Sequence, residues 1–257
     1  RRTFTAPTDA LQARRVWLVF DGLDLIADVY LNGVHVGSHE NAFRPCRLDV
    51  TDVLRPGSNS LAVSLDSGLH AVETRSAQEY NNALDDVLHK RMWLRKPQYQ
   101  FGWDWNPRLI NVGIFRPVRL EWADTARIDQ MTVYSELNEE QDRALLHVRL
   151  HLENITDAPL PVTLNVHVPE ANDTCIEQQV SLPTDMSTQA LAIPIDNPRL
   201  WWPRPHGDQP LYRVIGQVAV DGKVVDRIER RTGIRSIHIN QNPHPVEGRY
   251  FILEVNR

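Results

Sequence analysis

At 257 residues the chain exceeds the usual reach of one hydrophobic core, so two domains of about 100 to 150 residues are expected, with one large sandwich as the alternative. Its 42% hydrophobic and 24% charged residues are well mixed, which excludes a disordered segment and points to a folded globular protein. The net charge is −5 and the 28 Lys and Arg form no basic block, which argues against a nucleic-acid partner. No apolar run approaches the roughly 20 residues of a membrane-spanning helix.

The opening RRTFTAP, Arg1 to Pro7, lacks the apolar stretch of a secretory signal. A signal segment upstream of Arg1 stays open, so the compartment is unassigned, with the cytoplasm favoured. The two cysteines, Cys46 and Cys175, fall in different expected domains and suggest no disulfide framework; buried free thiols are the preferred reading.

In chain order, RRVWLVFDGLDLIADVYLNGVHV reads as strands, with Val16, Leu18 and Phe20 alternating, as do Ala27, Val29 and Leu31. Asn32-Gly33 lies between two such runs, and both residues tolerate the positive φ of a tight hairpin. Pro56 to Asn59 is a turn cluster leading into Leu61, Val63 and Leu65. Short strands at this spacing indicate an antiparallel sandwich. Between Gly68 and Gln100 the pattern breaks. SAQEYNNALDDVLHKRMWLRK is expected to form one or two short helical turns that stop before Pro97, in an excursion of a length more often functional than decorative.

After Glu121-Trp122, the polar run ADTARIDQ marks a domain boundary near residue 124. ALLHVRLHLEN, LPVTLNVHV and YRVIGQVAV then alternate with period two, with turn signals such as Asp221-Gly222; about seven such strands suit an immunoglobulin-like sandwich. The final YFILEVNR is one more alternating strand with no evident partner, so the natural protein is expected to continue.

The segment RKPQYQFGWDWNPR, Arg95 to Arg108, is the one that suggests chemistry. Sugars present apolar CH faces and outward hydroxyls, so a site for them needs flat aromatic rings beside charged hydrogen-bonding groups. Trp103, Asp104 and Trp105 supply both. In an extended strand the two Trp point one way and Asp104 the other. From residue types alone, two arrangements stand: a buried Trp pair with Asp104 satisfying a nearby loop, or an exposed recognition element.

One carboxylate does not make a glycosidase, which needs a flanking pair about 5 to 9.5 Å apart. Asp85-Asp86 and Glu139-Glu140 read as solvated surface charges. His35, His39, His70 and His89 lack metal-ligand spacing, so no metal site is expected, and nucleophile or phosphate-binding motifs are missing from the sequence. Asn154-Ile155-Thr156 and Asn172-Asp173-Thr174 fit the glycan acceptor pattern, which often arises by chance.

QYQFGWDWNPRLINVGIFRPVRLE, residues 98 to 121, resembles the signature of the β-mannosidases of glycoside hydrolase family 2. VFDGLDLIADVYLNGVHVGSHENAFRPCRLDVT at 19 to 51 is similar to the family's sugar-binding jelly roll. RLWWPRPHGDQPLY and RRTGIRSI are similar to the end of its immunoglobulin-like domain. The resemblance implies an all-β chain: a jelly-roll sugar-binding-type domain over 1–124, an immunoglobulin-like β-sandwich over 125–240, and the truncated start of a catalytic (β/α)8 barrel over 241–257.

It further implies a retaining exo-hydrolase of terminal β-linked mannose whose two catalytic glutamates lie beyond Arg257, so this chain carries no catalytic residue and is expected to be inactive alone. Asp104 would reach the terminal-sugar subsite, with Trp103 and Trp105 shaping its loop and Arg95, Lys96 and Arg108 supporting it. The partners would be a terminal β-mannoside or manno-oligosaccharide and the missing barrel, with no cofactor. Asn106 and Pro97 depart from the residues usual in the family. Trp201-Trp202-Pro203 is read as structural, its rings packing at a domain junction. An autonomous carbohydrate-binding module, or the same part of a family 2 exo-glucosaminidase or β-galactosidase, is the alternative. A face normally covered by the barrel should expose an apolar patch.

Overall fold

The computed structural model describes residues 1–75, 87–102, 104, 105, 107 and 109–257, with 87–89 described by backbone only. The chain divides into two compact units, Arg1–Asp124 and Thr125–Arg257. In both, the strands pair antiparallel.

The first unit contains β1 (Arg2–Thr5), β2 (Arg15–Phe20), β3 (Leu23–Asp24), β4 (Ile26–Leu31), β5 (Val34–His39), β6 (Cys46–Asp49), β7 (Ser58–Asp66), β8 (Gly113–Ile114) and β9 (Val118–Ala123). One sheet has the order β1-β7-β4-β5 and another β6-β2-β9, with a small β3-β8 pair. Val16, Leu18 and Phe20 of β2 share a core with Ala27, Val29 and Leu31 of β4, so the two larger sheets form a sandwich. Each of these side chains lies every second residue along its strand, the period that puts them on one face. A short helix, α1 (Thr8–Gln12), which the strand pattern does not announce, seats Ala10 on the same core.

The Asn32-Gly33 turn has φ of 53° and 87°, the left-handed pair that a tight hairpin requires. Asn32 also locks its surroundings: its side-chain Nδ2 donates to Val53 O and Asn59 Oδ1, and its Oδ1 accepts from Ser60 N. The turn residue is thereby a cross-link between β4, β7 and the loop before β7. Asn59, fully buried, closes that loop by donating to Arg55 O at 2.8 Å.

The second unit contains β10 (Ala126–Leu137), β11 (Arg143–Asn154), β12 (Leu160–Val168), β13 (Thr174–Leu182), β14 (Asp185–Asp196), β15 (Tyr212–Val220), β16 (Lys223–Thr232), β17 (Ile237–Asn240) and β18 (Ile252–Val255). The sheets β10-β11-β14 and β13-β12-β15-β16 enclose one core, and β17-β18 forms a separate pair. β11 shows the cause most clearly: Ala144, Leu146, Val148, Leu150 and Leu152 are buried while the residues between them are not. Asp221-Gly222, with φ of 49° and 76°, turns β15 into β16. The terminal strand has a partner after all, since Ile237–Asn240 pairs with it in register from Ile237 opposite Val255.

Trp201 and Trp202 pack inside this unit. A Cβ at Gly233 would come within 2.8 Å of the Trp201 side chain, and one at Gly207 within 2.9 Å of Trp202, so each ring lies on a glycine. Arg235 stacks over Trp201 at 4.6 Å. Of the two thiols, Cys46 is buried, and burial pushes it up from its ordinary pKa. Cys175 departs from the buried reading: it is exposed, because β13 is an edge strand, and it accepts from Asn165 Nδ2 at 3.1 Å.

Candidate functional site

The excursion of the first unit is held by its own small core. Leu25, Val72, Leu94 and Phe101 bury one another, with Ile26, Ala42, Leu69 and Ile110 packed against them. Short 3-10 turns cover His70–Val72, Val87–Trp93 and Gln98–Phe101. The Val87–Trp93 turn stops before Pro97, as expected, and Pro97 precedes a further turn, its carbonyl accepting from Gln100 N at 3.1 Å. With φ −55° and ψ 122°, Pro97 caps this turn from outside it. The remainder of the expected helical run, 76–86 with Asp85-Asp86, lies outside the described residues.

Lys96 is the structural centre of this region. It is 1% exposed, and its ammonium donates to Asp24 Oδ1 at 2.7 Å and to the carbonyl of Asn111. Phe101 lies beside it, with the ring centroid 6.0 Å from Nζ. A buried ammonium is tolerated only where it is paired and hydrogen-bonded, and both conditions are met here. Lys96 therefore ties the start of the motif to β3 and to the chain ahead of β8, and among the described residues it does not reach Asp104. Arg95 is exposed, and its carbonyl accepts from Ala42 N at 2.9 Å.

Past this anchor the chain leaves the core at Gly102, whose φ of 115° is a conformation that side-chain-bearing residues rarely adopt. Asp104 and Trp105 follow on the surface, Trp105 with 78% of its area exposed. Of the two arrangements open at the level of residue types, a buried Trp105 is ruled out. Asp104 has no hydrogen bond or ion pair among the described residues. Trp103, Asn106 and Arg108 lie outside them.

Next to the motif is an open cleft of about 730 Å³ whose lining includes Asp24, Phe43, Tyr99, Gln100, Phe115 and Arg116. Tyr99 and Phe43 are 66% and 65% exposed. Aromatic faces, a carboxylate and a guanidinium converge there, the combination that an amphipathic ligand such as a sugar requires. Asp24 and the cleft aromatics were not picked out from the sequence. The available signal is a carboxylate inside the apolar run Leu23-Asp24-Leu25-Ile26, since an Asp in such a run must find a buried cation.

The other candidates separate. His39 Nε2 meets the carbonyl oxygens of Asn41 and Arg44 at 2.6 and 3.1 Å. His35 sits 3.3 Å from Asp28 on the sheet surface, where Ser38 donates to the same Asp28 oxygen at 2.6 Å. That hydroxyl, before any effect of burial, holds Asp28 below its ordinary pKa, with His35 adding to it. Among the described residues no three His, Cys, Asp or Glu side chains gather as a metal site would require. The side chain of His89 is outside those described. Asn154 is 4% exposed, with its amide donating to Ala158 O at 2.8 Å, so this acceptor pattern is closed in the folded domain.

Residues 1–116 match the family model described as "Glycosyl hydrolase 2 galactose-binding domain-like", and residues 126–235 match "Glycosyl hydrolases family 2". A relative named Beta-mannosidase B from Aspergillus clavatus is 34% identical over 246 residues, covering 94% of this chain and 28% of the relative. Beta-mannosidase B of Thermothelomyces thermophilus is 31% identical over 261 residues, covering 100% of this chain and 30% of its own length. The crystal structure of a β-D-mannosidase from Dictyoglomus thermophilum superposes with a TM-score of 0.83 at 30% identity, over 99% of this chain and 31% of that one. The chain thus spans about a third or less of each relative's length. With both sandwiches matched in order across nearly its whole length, the chain belongs to glycoside hydrolase family 2.

Proposed function

We propose that the chain is the ancillary, sugar-binding-type and immunoglobulin-like part of a longer retaining exo-glycosidase that removes terminal β-linked mannose. Asp104 supplies a hydrogen-bonding carboxylate to the substrate pocket, with Trp103 and Trp105 shaping its loop, while both catalytic carboxylates belong to a barrel that follows. The observation that carries this reading is the exposed Asp104–Trp105 pair, projected past the buried Lys96–Asp24 anchor. A carboxylate with no partner among the described residues, beside an exposed indole, is arranged to meet something else. The names of the β-mannosidase relatives support mannose as that something.

The test is Asp104→Asn in the full-length polypeptide, assayed with an aryl β-mannoside. A hydrogen bond to a charged group contributes about 1.5 to 3 kcal/mol, so kcat/KM should fall by roughly 10- to 150-fold. The thermal midpoint should stay within about 2 °C, because an exposed side chain supports little of the fold. An unchanged kcat/KM would refute the pocket role. Robust turnover by the purified 257-residue chain would refute the ancillary role, since hydrolysis would then need no barrel.

A further inference from the structure

The cleft beside the motif presents three aromatic rings that no core uses. Phe43, Tyr99 and Phe115 all line it and are 65%, 66% and 54% exposed. Large rings are mostly buried in a folded domain, and several left open around one concavity mark a place where something binds. Each is carried on a fixed stretch of backbone. Asn41 Oδ1 accepts from Phe43 N at 3.0 Å, and Tyr99 lies in the turn Gln98–Phe101, closed by Gly102 N donating to its carbonyl at 3.2 Å. Phe115 N donates to Gly22 O at 3.2 Å, and a Cβ at Gly22 would come within 2.6 Å of the Phe115 ring. The tip of that ring is thus seated on a glycine while more than half of the residue stays open.

The charges of the lining are unequally used. Asp24 is neutralised by Lys96 and Asp21 by Arg119. Arg116 is exposed, has no ion-pair partner among the described residues, and holds its guanidinium 5.7 Å from the Phe115 ring centroid. The cleft therefore offers flat rings to CH faces and a multi-donor cation to hydroxyl oxygens, a set that suits a neutral sugar. Its volume of about 730 Å³ falls within the roughly 300 to 1,000 Å³ of small-ligand sites.

We propose that this cleft holds the sugar unit on the leaving-group side of the bond that is cut. Tyr99, Phe115 and Arg116 then set a preference for manno-oligosaccharides over mannosides with small leaving groups. The proposal rests on the reading of Asp104 as a residue of the terminal-sugar pocket. Gln100, in the cleft wall, precedes Asp104 by four residues, so their Cα atoms lie within about 14 Å of each other. Consecutive units of one oligosaccharide can meet both. Rings and a guanidinium held in place before the ligand arrives lose little freedom on binding it, which is the condition for a selective site.

The experiment compares kcat/KM for β-linked mannotriose and for β-mannosyl fluoride, whose leaving group is a single atom, in the full-length polypeptide. Tyr99→Ala combined with Arg116→Ala should lower the ratio of mannotriose to fluoride by about tenfold or more, since a stacked ring and a charged hydrogen bond are lost together. Tyr99→Phe, which keeps the ring, should hold that ratio within about twofold of wild type. A ratio that does not change in the double variant overturns the proposal. Mannobiose affinity, read by calorimetry, keeps it apart from the glycosidase reading. A wild type that cleaves neither substrate, but binds mannobiose at least about fivefold more tightly than the double variant does, sinks the glycosidase reading alone. One that cleaves both substrates with an unaltered ratio in the double variant sinks the cleft alone. An inactive wild type whose affinity matches that of the double variant overturns both.

Discussion

In the second unit, β11 buries Ala144, Leu146, Val148, Leu150 and Leu152 on one face, all apolar and all from one alternating run. In the first unit, the stretch from Leu94 to Phe101 buries a lysine between them. The first arrangement needs only the period of a strand. The second needs a carboxylate that lies 72 residues earlier in sequence, on β3. The difference teaches where each region is vulnerable. An apolar face loses stability in proportion to what is cut from it, whereas a buried ion pair fails when either partner is removed, because the survivor is an uncompensated charge.

Three variants sharpen this contrast. Lys96→Ala should destabilise the first unit by about 3 to 5 kcal/mol in urea unfolding, by stranding Asp24. Adding Asp24→Leu to Lys96→Met should return more than half of that loss, since a well-packed apolar pair replaces a buried ion pair at little cost. If Lys96→Ala costs under about 1 kcal/mol, the anchor does not hold the motif. In the second unit, Leu164→Ala removes a fully buried side chain and should cost about 2 to 5 kcal/mol, read by amide exchange across β10–β16 while β2 and β4 are unaffected. Loss of protection in both units together would mean that they unfold as one.

The smallest effect concerns charge at the second unit's surface. Arg213 donates to Glu170 from Nε at 2.6 Å and from its backbone N–H at 3.0 Å. Partial burial acts to raise the Glu170 pKa, but these bonds outweigh it and hold the carboxyl below its ordinary 4.5. A depressed folded-state pKa means that the stabilisation is fully present above about pH 4.5 and fades as pH falls through the lower, folded value. Glu170→Gln should therefore cost about 0.5 to 1 kcal/mol at pH 7, with the gap to wild type closing in acid. A gap that stays constant down to pH 3 would assign the effect to packing.

The all-β class, the Asn32-Gly33 hairpin and the long alternating strands of the second sandwich were legible in the sequence. Each depends on neighbours in the chain, through period-two burial or through positive φ at adjacent residues. The motif around Asp104 stood out in the sequence as a candidate site, because aromatics flanking a carboxylate are a local pattern. Its exposure was not, since a Trp buries or projects according to the surface that the rest of the fold offers it. The partnership of Lys96 with Asp24, the pairing of Ile237–Asn240 with the terminal strand and the exposure of Cys175 on an edge strand were likewise decided by tertiary structure. The physical reason is the same in each case: which buried cation meets which anion, and which strand lies at an edge, are set by long-range packing. The sequence by itself determined where strands and turns form, and only the folded chain decided which of their side chains were left facing outward.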